Sequence, residues 1–224
     1  MRRSVAVVIP AKNEALRVSA SIASAFSAGA NEVIVVDGGS GDTTRDVAAA
    51  AGARVLLAPS MRSVQMNEGA RATTCEVIIF LHADTILPEN AVEAVADAVA
   101  TGFSFGGFQL EFIEDDPKLR LAAAMINFRT RITGRPWGDQ AQFVDRRTFL
   151  ESGGFRPIPI MEDYELAGRM KRSQRTVVLD SLVRTSGRRF LEKGLLRTSY
   201  VNWKIIAGWH LGRSPEQLAA LYRR

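Results

Sequence analysis

Two residues that can bind a metal ion or a phosphate close the apolar segment EVIIFL: the letters HAD that follow place His82 and Asp84 two positions apart. Side chains at positions i and i+2 of a strand share a face, so these two can converge on one ligand. A carboxylate oxygen suits Mg²⁺ or Mn²⁺. An aspartate after an apolar run is also ordinary turn chemistry, so this segment alone leaves both interpretations open.

Other acids occupy comparable positions. Asp37 ends the apolar run EVIVVD beside Gly38 and Gly39, which let a ligand approach the backbone closely. Its carboxylate can accept a hydrogen bond from a base or a ribose, although a glycine-rich turn is equally consistent with a flexible connection. Glu162 and Asp163 open a predicted helix. A carboxylate there can act as a general base, but the helix dipole by itself also favours one.

Three arginines complete the set of candidate residues. Arg62, Arg188 and Arg189 can each bind phosphate through a guanidinium fork, or each can be a solvated surface residue. The first predicted strand turns through IPAKNE rather than G-x-G-x-x-G, and there is no G-x-x-x-x-G-K-[ST] motif. A dinucleotide-binding domain and a P-loop are therefore not predicted. No Ser-His-Asp triad stands out in a chain with two histidines.

Alternating strands and helices must position these residues. Four runs rich in β-branched residues predict strands that are buried on both faces: SVAVVIP, EVIVVD, ARVLLA and EVIIFLH. Helical patterns lie between them, and we expect Asn13 to cap the first helix and Gly29 to end it. The alternation predicts a parallel sheet with right-handed crossovers, whose ligands bind beyond the carboxyl ends of the strands.

The second half of the chain lacks this regular alternation of strand and helix patterns. Residues 103–112 predict a bulged strand, and Ser214–Gln217 has the sequence of a capping box. We predict one α/β domain over residues 1–224, with a basic amphipathic tail at 188–224.

Composition narrows the class of protein. The chain has 224 residues, of which 46% are apolar and 24% charged, as expected for one globular domain. One cysteine, Cys75, excludes an internal disulfide and predicts the cytoplasm. No stretch of the sequence is typical of a signal peptide or a transmembrane helix.

The net charge of +5 is concentrated in the tail. Residues 188–224 contain eight Lys or Arg and two Asp or Glu, which leaves 21 basic and 22 acidic residues in the rest of the chain. A nucleic-acid-binding protein would spread basic residues and stacking aromatics over its body, so that class is not predicted. The tail mixes these charges with large apolar residues. We expect it to contact the inner face of a membrane peripherally, to cover the acceptor site or to pair two subunits as a homodimer.

Seven segments, in this order, resemble the motifs of family 2 glycosyltransferases with the GT-A fold: VVIPAKNE, VVDGGSGDTT, MRSVQMNEGA, FLHADT, WGDQAQFVDRRTF, GGFRPIPIMEDYEL and SGRRF. The resemblance runs from about Val5 to Arg189 and is greatest to a short bacterial branch without membrane spans. It implies a Rossmann-like, mostly parallel central sheet flanked by helices, a small mixed C-terminal half and a helical tail. It also implies that residues 1–100 are a nucleotide-binding half and residues 101–187 an acceptor-side half. The implied reaction is an inverting transfer of a sugar from a nucleotide-diphosphate sugar to an acceptor hydroxyl.

The same resemblance implies the donor site. A UDP-sugar is favoured and a GDP-sugar is the alternative; the nucleotide would contact Pro10, Ala11, Glu14, Asp37, Gly38, Gly39, Arg62, Gln65, His82, Ala83 and Asp84. The letters HAD stand where the family has D-x-D. Asp84 thus inherits the role of ligand to Mg²⁺ or Mn²⁺. His82 departs from the pattern and leaves the dependence on a metal open.

The resemblance also implies catalytic and acceptor residues. Asp163 matches the general base, with Glu162 as its partner in the family's ED pair. Arg188 and Arg189 resemble the basic motif that meets the diphosphate. The sugar or acceptor would contact Trp137, Gly138, Asp139 and Gln140, with Trp137 either a stacking platform or a packed core residue. His210 in the tail either reaches the metal or is simply packed.

Two other classes of protein remain alternatives. A nucleotidyltransferase would share the sheet and the metal-bound nucleotide, but it needs a glycine-rich, arginine-containing loop after the first strand. A non-catalytic nucleotide-sugar-binding protein would not need Glu162 and Asp163. The acceptor is left open between a lipid-linked and a small molecule.

Overall fold

The structure is a computed structural model and describes residues 3–223. Its strands are, in chain order, β1 (Val5–Ala11), β2 (Glu32–Asp37), β3 (Arg54–Leu57), β4 (Val77–Phe80), β5 (Thr85–Ile86), β6 (Phe105–Phe112), β7 (Phe143–Asp145) and β8 (Thr176–Thr185). Its helices are α1 (Val18–Ser27), α2 (Thr44–Ala50), α3 (Arg62–Ala72), α4 (Ala91–Ala100), α5 (Pro117–Thr133), α6 (Arg146–Glu151), α7 (Glu162–Ser173), α8 (Arg188–Lys193), α9 (Leu195–His210) and α10 (Pro215–Arg223), with a 3₁₀ turn at Gly138–Gln140.

The described strands form one sheet in the order β3-β2-β1-β4-β7-β6-β8-β5. Strands β1 to β4 pair in parallel, as the strand–helix alternation predicts. Strand β7 then lies antiparallel between β4 and β6, while β8 runs parallel to β6 with a register shift after Phe108. A mostly parallel central sheet flanked by helices and continued by a mixed half confirms the predicted fold class.

Both faces of strands β1, β2 and β4 are buried, which explains their unbroken apolar sequences. Strand β3 lies at the edge of the sheet, where Arg54 and Leu57 are exposed, so the prediction that it is buried on both faces is wrong. In β1, Val7 and Ile9 belong to the core under one face of the sheet, and Val8 belongs to the core under the other. All three side chains are fully buried. Because successive residues of a strand point to opposite faces, only a run without polar residues satisfies both cores.

The predicted cap of the first helix is wrong. Helix α1 begins at Val18, and its N-cap position is occupied by Arg17 without a side-chain capping bond. Asn13 instead adopts a left-handed backbone (φ 55°), which asparagine tolerates better than most residues, and its Oδ1 accepts a hydrogen bond from Gly41 N (2.9 Å). Asn13 therefore joins the loop after β1 to the loop after β2.

The helical tail packs on the segment that precedes α7. Met161, Ile205 and Leu218 form a small apolar cluster of their own there. The capping box at the start of α10 is confirmed: Ser214 N donates to Gln217 Oε1 (3.2 Å) and Gln217 N donates to Ser214 Oγ (3.3 Å). Within residues 3–223, no helix has the length and apolar character needed to cross a membrane.

Candidate active site

The loops after β1, β2 and β4 meet at one edge of the sheet, where the candidate donor residues lie. Asp37 is fully buried, and both of its carboxylate oxygens are bonded within its own turn. Its Oδ2 accepts hydrogen bonds from Gly39 N (3.0 Å) and Ser40 N (2.9 Å), and its Oδ1 accepts one from the Ser40 hydroxyl. In this structure Asp37 orders the loop, and its contact with a base stays a prediction.

Gln65 supports the same loop from α3. Its Nε2 donates to Ala11 O (3.0 Å) and to Val36 O (2.7 Å), so a buried amide links the ends of β1 and β2. Gly38 must be glycine here, since a Cβ at this position would lie 2.9 Å from Gln65 Nε2. These contacts shape the loop and leave the predicted nucleotide contacts of both residues as predictions.

Arg62 joins three segments that are distant in sequence. Its Nε lies 3.1 Å from Glu162 Oε1 at the start of α7, and its Nη1 donates to His82 Nε2 (3.1 Å). Glu162 raises the pKa of Arg62. Burial raises the pKa of Glu162, against the effect of Arg62. Burial and the Arg62 charge lower the pKa of His82 to about 3, so its imidazole is neutral and accepts the arginine hydrogen bond.

Arg188 joins a second group of residues. Its Nη2 lies 2.8 Å from Glu14 Oε1 and 3.4 Å from Asp84 Oδ2. The hydrogen bond with Glu14 raises the pKa of Arg188. Burial raises the pKa of Asp84, whereas Arg188 acts in the opposite direction. The loop after β1, the turn after β4 and the start of α8 are therefore held together by one guanidinium.

His82 and Asp84 do not share a strand face, contrary to the sequence prediction. Strand β4 ends at Phe80, so both residues lie in the turn beyond it, with buried Ala83 between them. His82 contacts Arg62, whereas Asp84 contacts Arg188. A turn separates side chains that a continued strand would have aligned, and for this reason the two residues have different partners.

A divalent cation fits Asp84 only together with the donor. No group of three or more His, Cys, Asp or Glu side chains in the described part of the chain could hold a metal ion. Mg²⁺ in nucleotide sites is commonly bound by one or two carboxylates, with substrate phosphates and water as the other ligands. The single carboxylate of Asp84 suits that arrangement. His82 is already bonded to Arg62, and His210 Nε2 lies 2.8 Å from Tyr164 Oη.

Asp163 is fixed at the first turn of α7. Gly138 N donates to its Oδ2 (2.6 Å), and Tyr164 N donates to its Oδ1 (2.7 Å). Gln142 Nε2 donates to the Asp163 carbonyl (3.0 Å) and to Pro136 O (2.8 Å), which attaches the loop before β7 to α7. The carboxylate is thus oriented by backbone groups while each oxygen keeps lone pairs for a further proton or donor.

Gly138 lies between Asp163 and His82. A Cβ on Gly138 would lie 2.9 Å from His82 Nε2 and 3.1 Å from Asp163 Oδ2. The predicted base and the HAD turn are therefore adjacent across this glycine, and a larger residue would displace one of them.

Gln140 holds the loop between α5 and β7 through its buried amide. It is fully buried, and its Oε1 accepts hydrogen bonds from Arg129 Nη2, Thr130 Oγ1 and Trp137 N at 2.8–3.1 Å. Its Nε2 donates to a backbone carbonyl of β6 (2.9 Å). Every polar atom of its amide is bonded within the protein, and the predicted sugar or acceptor contact of Gln140 stays a prediction.

Asp139 and Arg129 have polar atoms without partners in the described residues. Asp139 Oδ1 and Arg129 Nε are both buried and unbonded. Burial raises the pKa of Asp139 to about 6 and lowers the pKa of Arg129 to about 10. Arg129 also lies 3.6 Å over the ring of Trp137. Buried polar atoms are nearly always hydrogen-bonded, so this buried acceptor and this buried donor are available to a bound water or ligand.

Sequence reasoning did not identify Arg129, because in the sequence it is one of several arginines on a long helix. Tyr164 was missed as well, although it follows Asp163. It packs edge-on against Trp137 with ring centroids 6.2 Å apart and bonds to His210. The side chain of Trp137 thus belongs to an aromatic cluster with Tyr164 and His210. Arg189 lies 3.5 Å over the ring of Tyr222, and burial together with the nearby Arg62 charge lowers its pKa.

Comparison with known proteins identifies the family and the fold of this chain. A model of glycosyl transferase family 2 matches residues 6–156. No curated protein matches the chain in sequence. Glucosyl-3-phosphoglycerate synthase from Mycobacterium tuberculosis, solved with Mn²⁺, UDP and glucosyl-3-phosphoglycerate, has 22% identity and a TM-score of 0.62, covering 86% of this chain and 75% of that chain. S. aureus TarS 1-349 has 12% identity and a TM-score of 0.68, and the match covers 98% of this chain and 70% of that chain.

A further solved structure, of a mycobacterial protein, has 22% identity and a TM-score of 0.60. It covers 82% of this chain, and this chain spans 65% of its length. At these identities the structural likeness shows a common fold, the GT-A fold. The family model spans more than half of the sequence, so the chain belongs to glycosyl transferase family 2. This family consists of glycosyltransferases.

Proposed function

We propose that the protein transfers a sugar with inversion from a nucleotide-diphosphate sugar to an acceptor hydroxyl, with Asp163 as the general base. The observation that carries this proposal is the position of Asp163. Its carboxylate is held by Gly138 N (2.6 Å) and lies beside the group formed by Arg62, His82 and Glu162. A UDP-sugar is the favoured donor, since the M. tuberculosis relative is solved with UDP-glucose, and a GDP-sugar is the alternative.

In the proposed reaction the acceptor oxygen attacks the anomeric carbon while its proton moves to the Asp163 carboxylate. The bond from that carbon to the diphosphate oxygen breaks in the same step, and its electron pair leaves with the nucleoside diphosphate. One displacement inverts the configuration. Arg188 and Arg189 supply positive charge toward the leaving group, as a developing anion requires.

A bound divalent cation would be held by Asp84 together with the diphosphate and would stabilise the negative charge of the leaving group. Asp84 lies in the turn after β4, where Arg188 contacts it at 3.4 Å. Membership of the family favours glycosyl transfer over the nucleotidyltransferase alternative. A protein that only binds a nucleotide sugar would not need the oriented carboxylate of Asp163.

The test is Asp163→Asn, which keeps the shape of the side chain and removes its basicity. We expect kcat to fall by about 10²–10⁴-fold, the usual contribution of general base catalysis. Donor binding, measured as the rise in melting temperature with UDP or GDP and with or without Mn²⁺, should be retained. Asp97→Asn is the matched control, because Asp97 is an exposed acid on α4. Near-normal turnover by Asp163→Asn would contradict the assignment of Asp163 as the general base.

A further inference from the structure

Helix α5 presents one apolar face to solvent. Leu121, Met125, Phe128 and Ile132 follow one another at intervals of three or four residues, which places them on one side of the helix. Each is more than half exposed, from 57% for Leu121 to 68% for Phe128. Single exposed apolar residues are normal on a protein surface, but a continuous stripe of large ones marks a surface that binds something.

Helix α9 carries a second exposed stripe and lies against α5. Its members are Leu196, Tyr200 and Trp203, again spaced by three or four residues and 58–86% exposed. We call these seven side chains of α5 and α9 the apolar surface. Tyr200 and Trp203 combine an apolar ring with a polar group, the chemistry that is enriched where a membrane meets water.

The charged side chains that α5 and α9 themselves expose beside the apolar surface are basic. Neither helix contains an aspartate or a glutamate, and apart from Arg129 in the site their charged residues are exposed: Lys118, Arg120, Arg131, Arg197 and Lys204. Arg120 and Arg131 pair with Asp115 and Asp180 beyond these helices, at 3.6 and 3.5 Å. Such exposed pairs are weak and leave the cations available to a stronger partner.

We propose that α5 and α9 dock on a bilayer that contains anionic phospholipid. The acyl region would accept the apolar surface, and the negative headgroups would pair with the flanking lysines and arginines. A second copy of the chain fits less well, because a two-fold interface on this surface would bring the same basic side chains face to face without acids on either helix. The sequence predicts membrane contact through the tail alone; the structure adds α5 as half of the surface.

Both helices also border the candidate acceptor side. On α5, Thr130 Oγ1 donates to Gln140 Oε1 (2.8 Å) in the loop that holds Asp163. At the end of α9, His210 bonds to Tyr164, the neighbour of Asp163. Docking would therefore place this edge of the site near the headgroups. Membrane docking does not depend on sugar transfer, so an experiment can refute either proposal without refuting the other.

Sedimentation with vesicles tests the proposal on the full chain without any donor. We expect binding to phosphatidylcholine vesicles that contain phosphatidylglycerol, weakening as salt is added, and no binding to phosphatidylcholine alone. Phe128→Ser on α5 and Trp203→Ser on α9 should each reduce partitioning by about tenfold or more, since each removes a large aromatic group from the contact. Leu57→Ser is the matched control, because Leu57 is 67% exposed on strand β3 away from both helices.

Thermal melting of each variant verifies that it is folded, which is expected for substitutions of exposed side chains. The proposal is overturned if the wild-type chain does not bind anionic vesicles at low salt. It is equally overturned if binding persists unchanged in both variants, or if Leu57→Ser weakens it as much. A wild-type dimer that Phe128→Ser converts to a monomer, without vesicle binding, would assign the surface to a second copy instead.

Discussion

Replacing Asp139 by asparagine should stabilise the protein at neutral pH. Burial raises the pKa of the Asp139 carboxyl to about 6, while the Arg129 charge acts in the opposite direction. An aspartate in an unfolded chain titrates at about 4. The folded state therefore binds more protons than the unfolded state between these values. The free energy of unfolding consequently falls as the pH rises from about 4 to about 6.

The size of the effect follows from the difference in pKa. About two pKa units at about 1.4 kcal/mol each make ionised Asp139 destabilising by about 3 kcal/mol above pH 6. An asparagine has nearly the same shape and no charge. Asp139→Asn should thus raise the free energy of unfolding by up to about 3 kcal/mol near pH 8, and by less than about 1 kcal/mol near pH 4, where the wild-type carboxyl is protonated.

Urea denaturation of both proteins at the two pH values measures this difference. Asp115→Asn is the control, because it removes a carboxylate that is 84% exposed, and its effect should be the same at both pH values. A gain for Asp139→Asn that does not change with pH, or a loss of stability near pH 8, would refute the reasoning. A gain that is independent of pH would mean that burial does not disfavour the ionised Asp139 carboxyl. A loss of stability near pH 8 would mean that an interaction with the ionised carboxyl outweighs the cost of burying it.

Two further predictions concern the same site. Gly138→Ala should lower kcat by about tenfold to a hundredfold, because its Cβ would displace Asp163 or His82, whereas Gly41→Ala, which meets no atom within 4 Å, should have little effect on steady-state kinetics. Asp84→Asn should abolish the additional thermal stabilisation that Mn²⁺ gives in the presence of UDP while retaining that of UDP alone; an unchanged Mn²⁺ effect would contradict the assignment of the metal ligand.

The parallel half of the fold could be predicted from sequence because its signal is local. Strands β1, β2 and β4 are unbroken apolar runs, and such runs are required when both faces of a strand are buried. The sequence also shows where these elements begin and end. It therefore predicts that the HAD turn follows β4 and that Glu162 and Asp163 begin α7.

The partners of the site residues could not be predicted, since they depend on packing between distant segments. Gln65 and Gln140 have the polar side chains expected of ligand contacts, yet their buried amides bond to backbone and to other side chains. Nothing near Arg129 in the sequence indicates that it lies over Trp137. The φ of 55° at Asn13 is set by its bond to the loop after β2, which no helix-capping pattern reveals.

The bond of Arg188 to both Glu14 and Asp84 has a consequence for how a donor enters. Arg188 contacts both carboxylates, and Arg17 contacts Glu14 as well (3.4 Å), so two guanidinium groups offset the two negative charges that would otherwise repel a diphosphate. A donor diphosphate would attract Arg188, and Asp84 would then be available to hold a divalent cation that accompanies the donor. Donor binding would in this way exchange ionic partners with little change in local charge, and release of the nucleoside diphosphate would restore the original pairs.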